Sequence, residues 1–181
     1  MTAPRTLRVA GVQVESRNFD VEGNLRRAES LVAAAGDRGA ELVLCPELLA
    51  AGYVYDAPLW NAGEPRGGPT ESWLARMARR HGIYIGASYL EASGDDFFNT
   101  FTLMKPDGSP AGRVRKQSLP GFEAWFFHRG SGPVVFGTSA KSGPLVQWFE
   151  LLRLHSSLNP ALRPSWRGRL CPTPAPILPM L

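Results

Sequence analysis

Two glutamates and a lysine carry the chemistry that this sequence could perform. Glu47 follows the apolar run Leu42-Val-Leu-Cys-Pro46. A carboxylate at the mouth of a buried strand is placed to act as a general base, because partial burial disfavours its charged form. Its plainer alternative is a carboxylate that complements a helix N-terminus. Lys116 closes the run Ala111 to Lys116 and is followed by Leu119-Pro-Gly121. A fixed ammonium there could stabilise an oxyanion; the alternative is a surface lysine in one basic run with Arg113 and Arg115. Glu123 lies seven residues beyond Lys116. Taken alone it reads as a loop carboxylate pairing with Lys116 or Arg115, a contact worth little at a surface. Tyr53, Trp125, Phe126 and Phe127 lie close to these residues in sequence and suit either a substrate pocket or ordinary core packing.

The elements that must position these groups follow from hydrophobic periodicity. Leu7 to Val14 reads as a buried strand and Leu42 to Pro46 as a second one. Between them, Asp20 to Gly36 reads as a helix, with Leu25, Ala28, Leu31, Val32 and Ala35 on one stripe. Tyr53 to Pro69 is rich in glycine and proline and reads as a loop, placed to face substrate beyond the strand ends. Thr70 is the expected cap of a helix from Glu71 to His81, whose apolar stripe is Trp73, Leu74, Met77 and Ala78. Strands are expected over Ile83 to Leu90, Phe97 to Met104, Ala111 to Lys116 and Val134 to Phe136, with a turn at Pro106-Asp-Gly-Ser109. Strand–helix–strand order of this length predicts an α/β fold.

Bulk composition narrows the function. The 181 residues are 44% hydrophobic and 20% charged, as in an ordinary globular domain. The net charge of +4 comes from scattered arginines, with no basic helix, which argues against nucleic acid as a partner. No apolar run approaches membrane-spanning length. The start, Met1 to Arg8, has no apolar core of a secretory leader, so the expected location is the cytoplasm. Cys45 and Cys171 make neither a disulfide framework nor a metal-ligand pattern. His81, His128 and His155 have no spacing for a metal or a catalytic triad, and Gly86-Ala-Ser88 lacks the second glycine of a nucleophile elbow.

The segments Glu41-Leu-Val-Leu-Cys-Pro-Glu47-Leu-Leu-Ala-Ala-Gly-Tyr53 and Gly112-Arg-Val-Arg-Lys116-Gln-Ser-Leu-Pro-Gly-Phe-Glu123 resemble the nitrilase, or carbon–nitrogen hydrolase, superfamily. Asn99 and the turn at Pro106 to Gly108 match segments that precede the family's lysine, and the resemblance spans about residues 7 to 138. It implies an αββα sandwich of two central sheets. It implies hydrolysis of a non-peptide C–N bond in a small amide, nitrile or carbamoyl substrate, without metal or organic cofactor, in a protein that forms homo-oligomers. By the same resemblance Glu47 is the base, Lys116 stabilises the oxyanion and Glu123 holds the two in place.

The family's third group is a cysteine nucleophile on a later strand, and here the match fails. Val135-Phe-Gly-Thr138 corresponds to the lead-in, but Trp148 then falls on the cysteine position, and indole cannot attack a substrate carbon. Cys45, two residues before Glu47, would share its face by strand alternation, yet a buried cysteine is usually inert. Cys171 sits in a proline-rich stretch. From about residue 141 the texture changes: Glu150 is the only acidic residue there, and prolines recur at 172, 174, 176 and 179. The expected organisation is therefore a hydrolase-like part over 1–140 and a divergent or out-of-frame tail over 141–181, which leaves the C-terminal part of the sandwich incomplete. In this reading the family reaction is hydrolytic and this chain itself is inactive. The alternative is a remnant that binds a ligand or a homologous subunit.

Overall fold

The computed structural model describes residues 7–132, and beyond them the backbone of two short strands at 135–136 and 145–146. The α/β expectation holds. Strands β1 (Val9–Gly11), β2 (Leu42–Leu44), β3 (Tyr84–Ser93), β4 (Asp96–Met104) and β5 (Pro110–Arg115) form one mixed sheet in sequence order. β1, β2 and β3 run parallel, whereas β3, β4 and β5 are antiparallel. The parallel connections are made by helices α1 (Val21–Asp37) and α2 (Pro69–His81), as parallel pairing requires a crossover. β6 (Val135–Phe136) and β7 (Leu145–Val146) pair as a separate antiparallel ladder. The expected strand over Val134 to Phe136 is thus described from Val135 on.

One face of the sheet is covered by the helices. Leu25, Ala28 and Val32 of α1 and Trp73, Leu74, Met77 and Ala78 of α2 pack with Val43, Ile85 and Ala87 in one buried cluster. Removing each of these larger side chains from water contributes about 1.5–3 kcal/mol. Leu31, expected on the buried stripe, is 39% exposed because it lies at the edge of that stripe, about 40° around the helix from Ala35. The opposite face carries Leu42, Tyr84, Phe101, Leu103 and Val114. Gly86 lies on that face, where a β-carbon would run into the Phe101 ring.

Three local expectations are corrected. The strand over Leu7 to Val14 shortens to three residues and is not buried: among the described residues it is paired on one side only, and Val9 is 45% exposed. Thr70 does not cap α2. The helix starts two residues earlier, on Pro69, with Gly68 at the cap, and both the Thr70 hydroxyl and its N–H donate to the buried Glu64 carboxylate at 2.6 Å. The loop from Tyr53 to Pro69 contains a 3-10 helix, Ala57–Ala62, whose N-cap Asp56 accepts from the Ala57 N–H.

Among the described residues no helix is long and apolar enough to cross a membrane. Trp148, His155, Cys171 and the proline-rich tail lie outside the described residues.

Candidate active site

The mixed topology gathers the chemistry at one end of the sheet. β2 runs toward that end, and Cys45-Pro46 carries the chain on to Glu47. β4 is antiparallel to β3, so Asn99, near its start, lies opposite Leu90. β5 ends at Arg115, and Lys116 continues the ladder by donating its N–H to the Asn99 carbonyl at 2.8 Å. Residues far apart in the chain thus meet beyond the carboxyl ends of the parallel strands, where α/β proteins place their sites.

The turn that holds Glu47 is fixed from both sides. Leu48, directly after it, adopts a left-handed conformation at φ 48°, which is uncommon for a branched residue and persists only where the surroundings hold it. Its N–H donates to the Ser88 hydroxyl at 2.7 Å, and its side chain is fully buried. Ser88 therefore serves as an acceptor for this turn. Across the turn, the fully buried Asn24 of α1 donates to the carbonyls of Arg17 and Ala50 at 2.7 Å each, and accepts the Arg17 N–H. The Phe19 N–H and the Ser16 hydroxyl add bonds to the carbonyls of Ala51 and Leu49.

Lys116, Glu47 and Glu123 come together. The Lys116 Nζ donates to Glu47 Oε1 and to Glu123 Oε1, at 2.8 Å in both cases. Asn99 Nδ2 donates to the same Glu47 oxygen at 2.6 Å. Glu123 is not a loop carboxylate at the surface. It opens the short helix α3 (Glu123–Phe126) and is 1% exposed. Its Oε1 also accepts from the hydroxyls of Tyr53 at 2.7 Å and Tyr55 at 3.0 Å. Burial works against the Lys116 charge, but its hydrogen bonds to Glu123 and Glu47 outweigh it and hold the ammonium above the usual lysine range. Burial above all pushes both tyrosine hydroxyls up, so they stay protonated and act as donors to Glu123. Of the three central side chains Glu47 is the most open, at 28% against 12% for Lys116.

Cys45 is placed differently. It packs against the helix-side core cluster, and burial pushes its thiol up to about 12. A thiol there is not a thiolate near neutrality, so strand alternation does not hand Glu47 a nucleophile.

The expected aromatic pocket divides. Tyr53 joins the cluster through Glu123, whereas Phe127 is buried and Trp125 is 77% exposed. Trp125 and Phe127 line a separate groove of about 430 Å³ with Trp60, Phe97 and Phe126, where the Trp60 and Phe126 rings stack at 5.2 Å. Sequence reasoning missed Tyr55, whose only signal is its alternation with Tyr53, and missed the side-chain role of Asn99. It also placed Arg113 and Arg115 in one basic run with Lys116. The structure separates them: both arginines turn to the helix side and pair with the buried Glu71 and Glu91. Among the described residues no group of three or more His, Cys, Asp or Glu side chains is arranged to hold a metal ion.

A family model for carbon-nitrogen hydrolases matches residues 8–146. The chain is 33% identical over 127 residues to a nitrilase of Pyrococcus abyssi, covering 68% of this chain and 48% of that protein. It is 31% identical over 154 residues to an N-carbamoylputrescine amidase of Solanum lycopersicum, covering 80% and 51% respectively. A solved amidase from Nesterenkonia sp. AN1 superposes with a TM-score of 0.62 at 27% identity, over 75% of this chain and 54% of that one. XC1258 from Xanthomonas campestris, a CN-hydrolase superfamily protein, superposes with a TM-score of 0.67 at 25% identity, over 74% and 50%. The chain spans about half the length of the curated relatives it matches. Its architecture is that of the nitrilase-type αββα fold. With the family model covering more than half of its residues, the chain belongs to the carbon-nitrogen hydrolase family.

Proposed function

We propose that this chain carries the base-and-cation part of a carbon–nitrogen hydrolase site for a small amide, nitrile or carbamoyl substrate, and that it does not itself supply the nucleophile. The observation that carries this reading is the Lys116 ammonium held at 2.8 Å from both Glu47 and Glu123. In the full reaction Glu47 takes the proton from an attacking thiol. Lys116 faces the oxygen on which negative charge grows. Glu123, buried and bonded by two tyrosines, keeps the ammonium from drifting. The thiol is the part for which nothing among the described residues qualifies, since Cys45 packs against the core cluster and burial raises its thiol far above the usual range. The aligned position of Trp148 supports the same reading from the sequence. On this proposal residues 1–140 form the hydrolase part and 141–181 a divergent or out-of-frame tail.

The test is native-state alkylation with iodoacetamide near pH 8, mapped by peptide mass spectrometry. The expected result is that Cys45 stays unmodified until the chain is denatured. Rapid native modification of Cys45 or Cys171 that is lost in Glu47→Gln would show a base-activated nucleophile and overturn the proposal.

A further inference from the structure

The helix side of the sheet mirrors the site across the same two strands. Thr100 and Arg115 are cross-strand partners, and both donate to Glu91 Oε2, the hydroxyl at 2.5 Å and the guanidinium Nε at 3.0 Å. One step along the ladder, Asn99 and Lys116 are joined by their backbones, and their side chains converge on Glu47 Oε1. Alternation along a strand sends the first pair to one face and the second to the other. Glu91 is 3% exposed and takes two more donors, Arg115 Nη2 at 2.9 Å and Arg113 Nη1 at 3.0 Å. Arg113 in turn reaches Glu71 of α2 at 2.6 Å, and Glu71 also accepts the Tyr89 hydroxyl. The Arg115 guanidinium is further fixed 3.6 Å above the centre of the Phe98 ring.

We infer that Glu91 is a positioning residue for Lys116 and Asn99: it clamps β4 to β5 from behind, at the one step of the ladder that sets where these two donors point. The inference rests on reading Lys116 as the cation of the site. Rotation or slippage of that step would move both donors away from Glu47 together, and a displacement of an ångström is costly in a site of this kind. A buried carboxylate that holds two arginines is expensive to desolvate, and a well-packed apolar set in place of all three side chains would hold the sheet equally well, so sheet stability alone does not account for the arrangement.

The test uses the whole chain with 13C-labelled lysine, in which Lys116 is one of only three lysines, with Lys105 and Lys141. In the parent chain the Lys116 Cε signal titrates above the ordinary lysine value. In Glu91→Ala its midpoint falls back toward that value while the Lys105 signal does not move. In Glu91→Gln, which removes the charge and keeps an acceptor, most of the parent midpoint is retained. Thr100→Val, which deletes one donor and no volume, gives a smaller shift in the same direction and decides the matter if Glu91→Ala does not fold. Loss of melting temperature with an unmoved Lys116 signal would make Glu91 merely structural and overturn the inference. An equal shift in Glu91→Gln and Glu91→Ala would make the effect one of field, and would overturn it too. Glu47→Gln separates the two levels: if it leaves the Lys116 signal unchanged, the site reading itself fails.

Discussion

At the scale of single residues, the site is a balance of one ammonium against two carboxylates, and its stability depends on all three being present. Lys116 is raised above its ordinary range in the folded chain. The stability it contributes is therefore fully present below the unfolded lysine value of about 10.4 and is lost as pH rises through the folded one. Lys116→Met should abolish that alkaline dependence. It should also cost about 3 kcal/mol in urea unfolding at pH 7, because it strands the Glu123 carboxylate in the interior with only tyrosine donors. A variant as stable as the parent, with the same alkaline limb, would show that the contact does not form in solution. Glu47 and Lys116 were legible in the sequence because each sits at a strand end inside a recognisable run. The burial of Glu123 and the donation by Asn99 were not, since both depend on strands and loops about 50–70 positions apart meeting in one register.

Elements explain why the turn after β2 can hold its conformation. Asn24 on α1 satisfies the carbonyls of Arg17 and Ala50 from a fully buried position, and so ties the helix start to the chain that follows Glu47. Asn24→Ala should leave those groups without a partner and cost about 2–3 kcal/mol. Amide hydrogen exchange should then rise first over 48–52, and an unchanged exchange rate there would refute the link. The two helices were legible because their apolar stripes repeat at helical spacing. The start of α2 was misplaced by two residues because Pro69 is well suited to a first helical position and Thr70 is drawn off by Glu64. The first strand was overextended because an apolar run does not reveal how many of its residues find ladder partners, here Val9 to Gly11 against Leu42 to Leu44. Arg113 and Arg115 were read as one basic run with Lys116 because charge in sequence carries no information about strand face until the register is known.

For the whole molecule, family membership and chemistry have to be weighed separately. The carbon-nitrogen hydrolase family model spans residues 8–146, a stretch that includes the sheet, the covering helices and the residues of the Glu47–Lys116–Glu123 cluster. The match covers about half the length of the relatives, and the only cysteine among the described residues, Cys45, is partly buried against the core cluster. Catalysis by this family reading needs base, cation and thiol at one carbon, and an activated nucleophile contributes nothing unless it lies within reach of its base. The measurement that tests the account most directly is ammonia release by the purified chain from a panel of simple amides, nitriles and carbamoyl compounds, run beside Glu47→Gln and Cys45→Ala. The account predicts a rate at the buffer background for all three proteins with every compound. Turnover by the parent chain that disappears in Glu47→Gln would contradict it, and its simultaneous loss in Cys45→Ala would name the nucleophile.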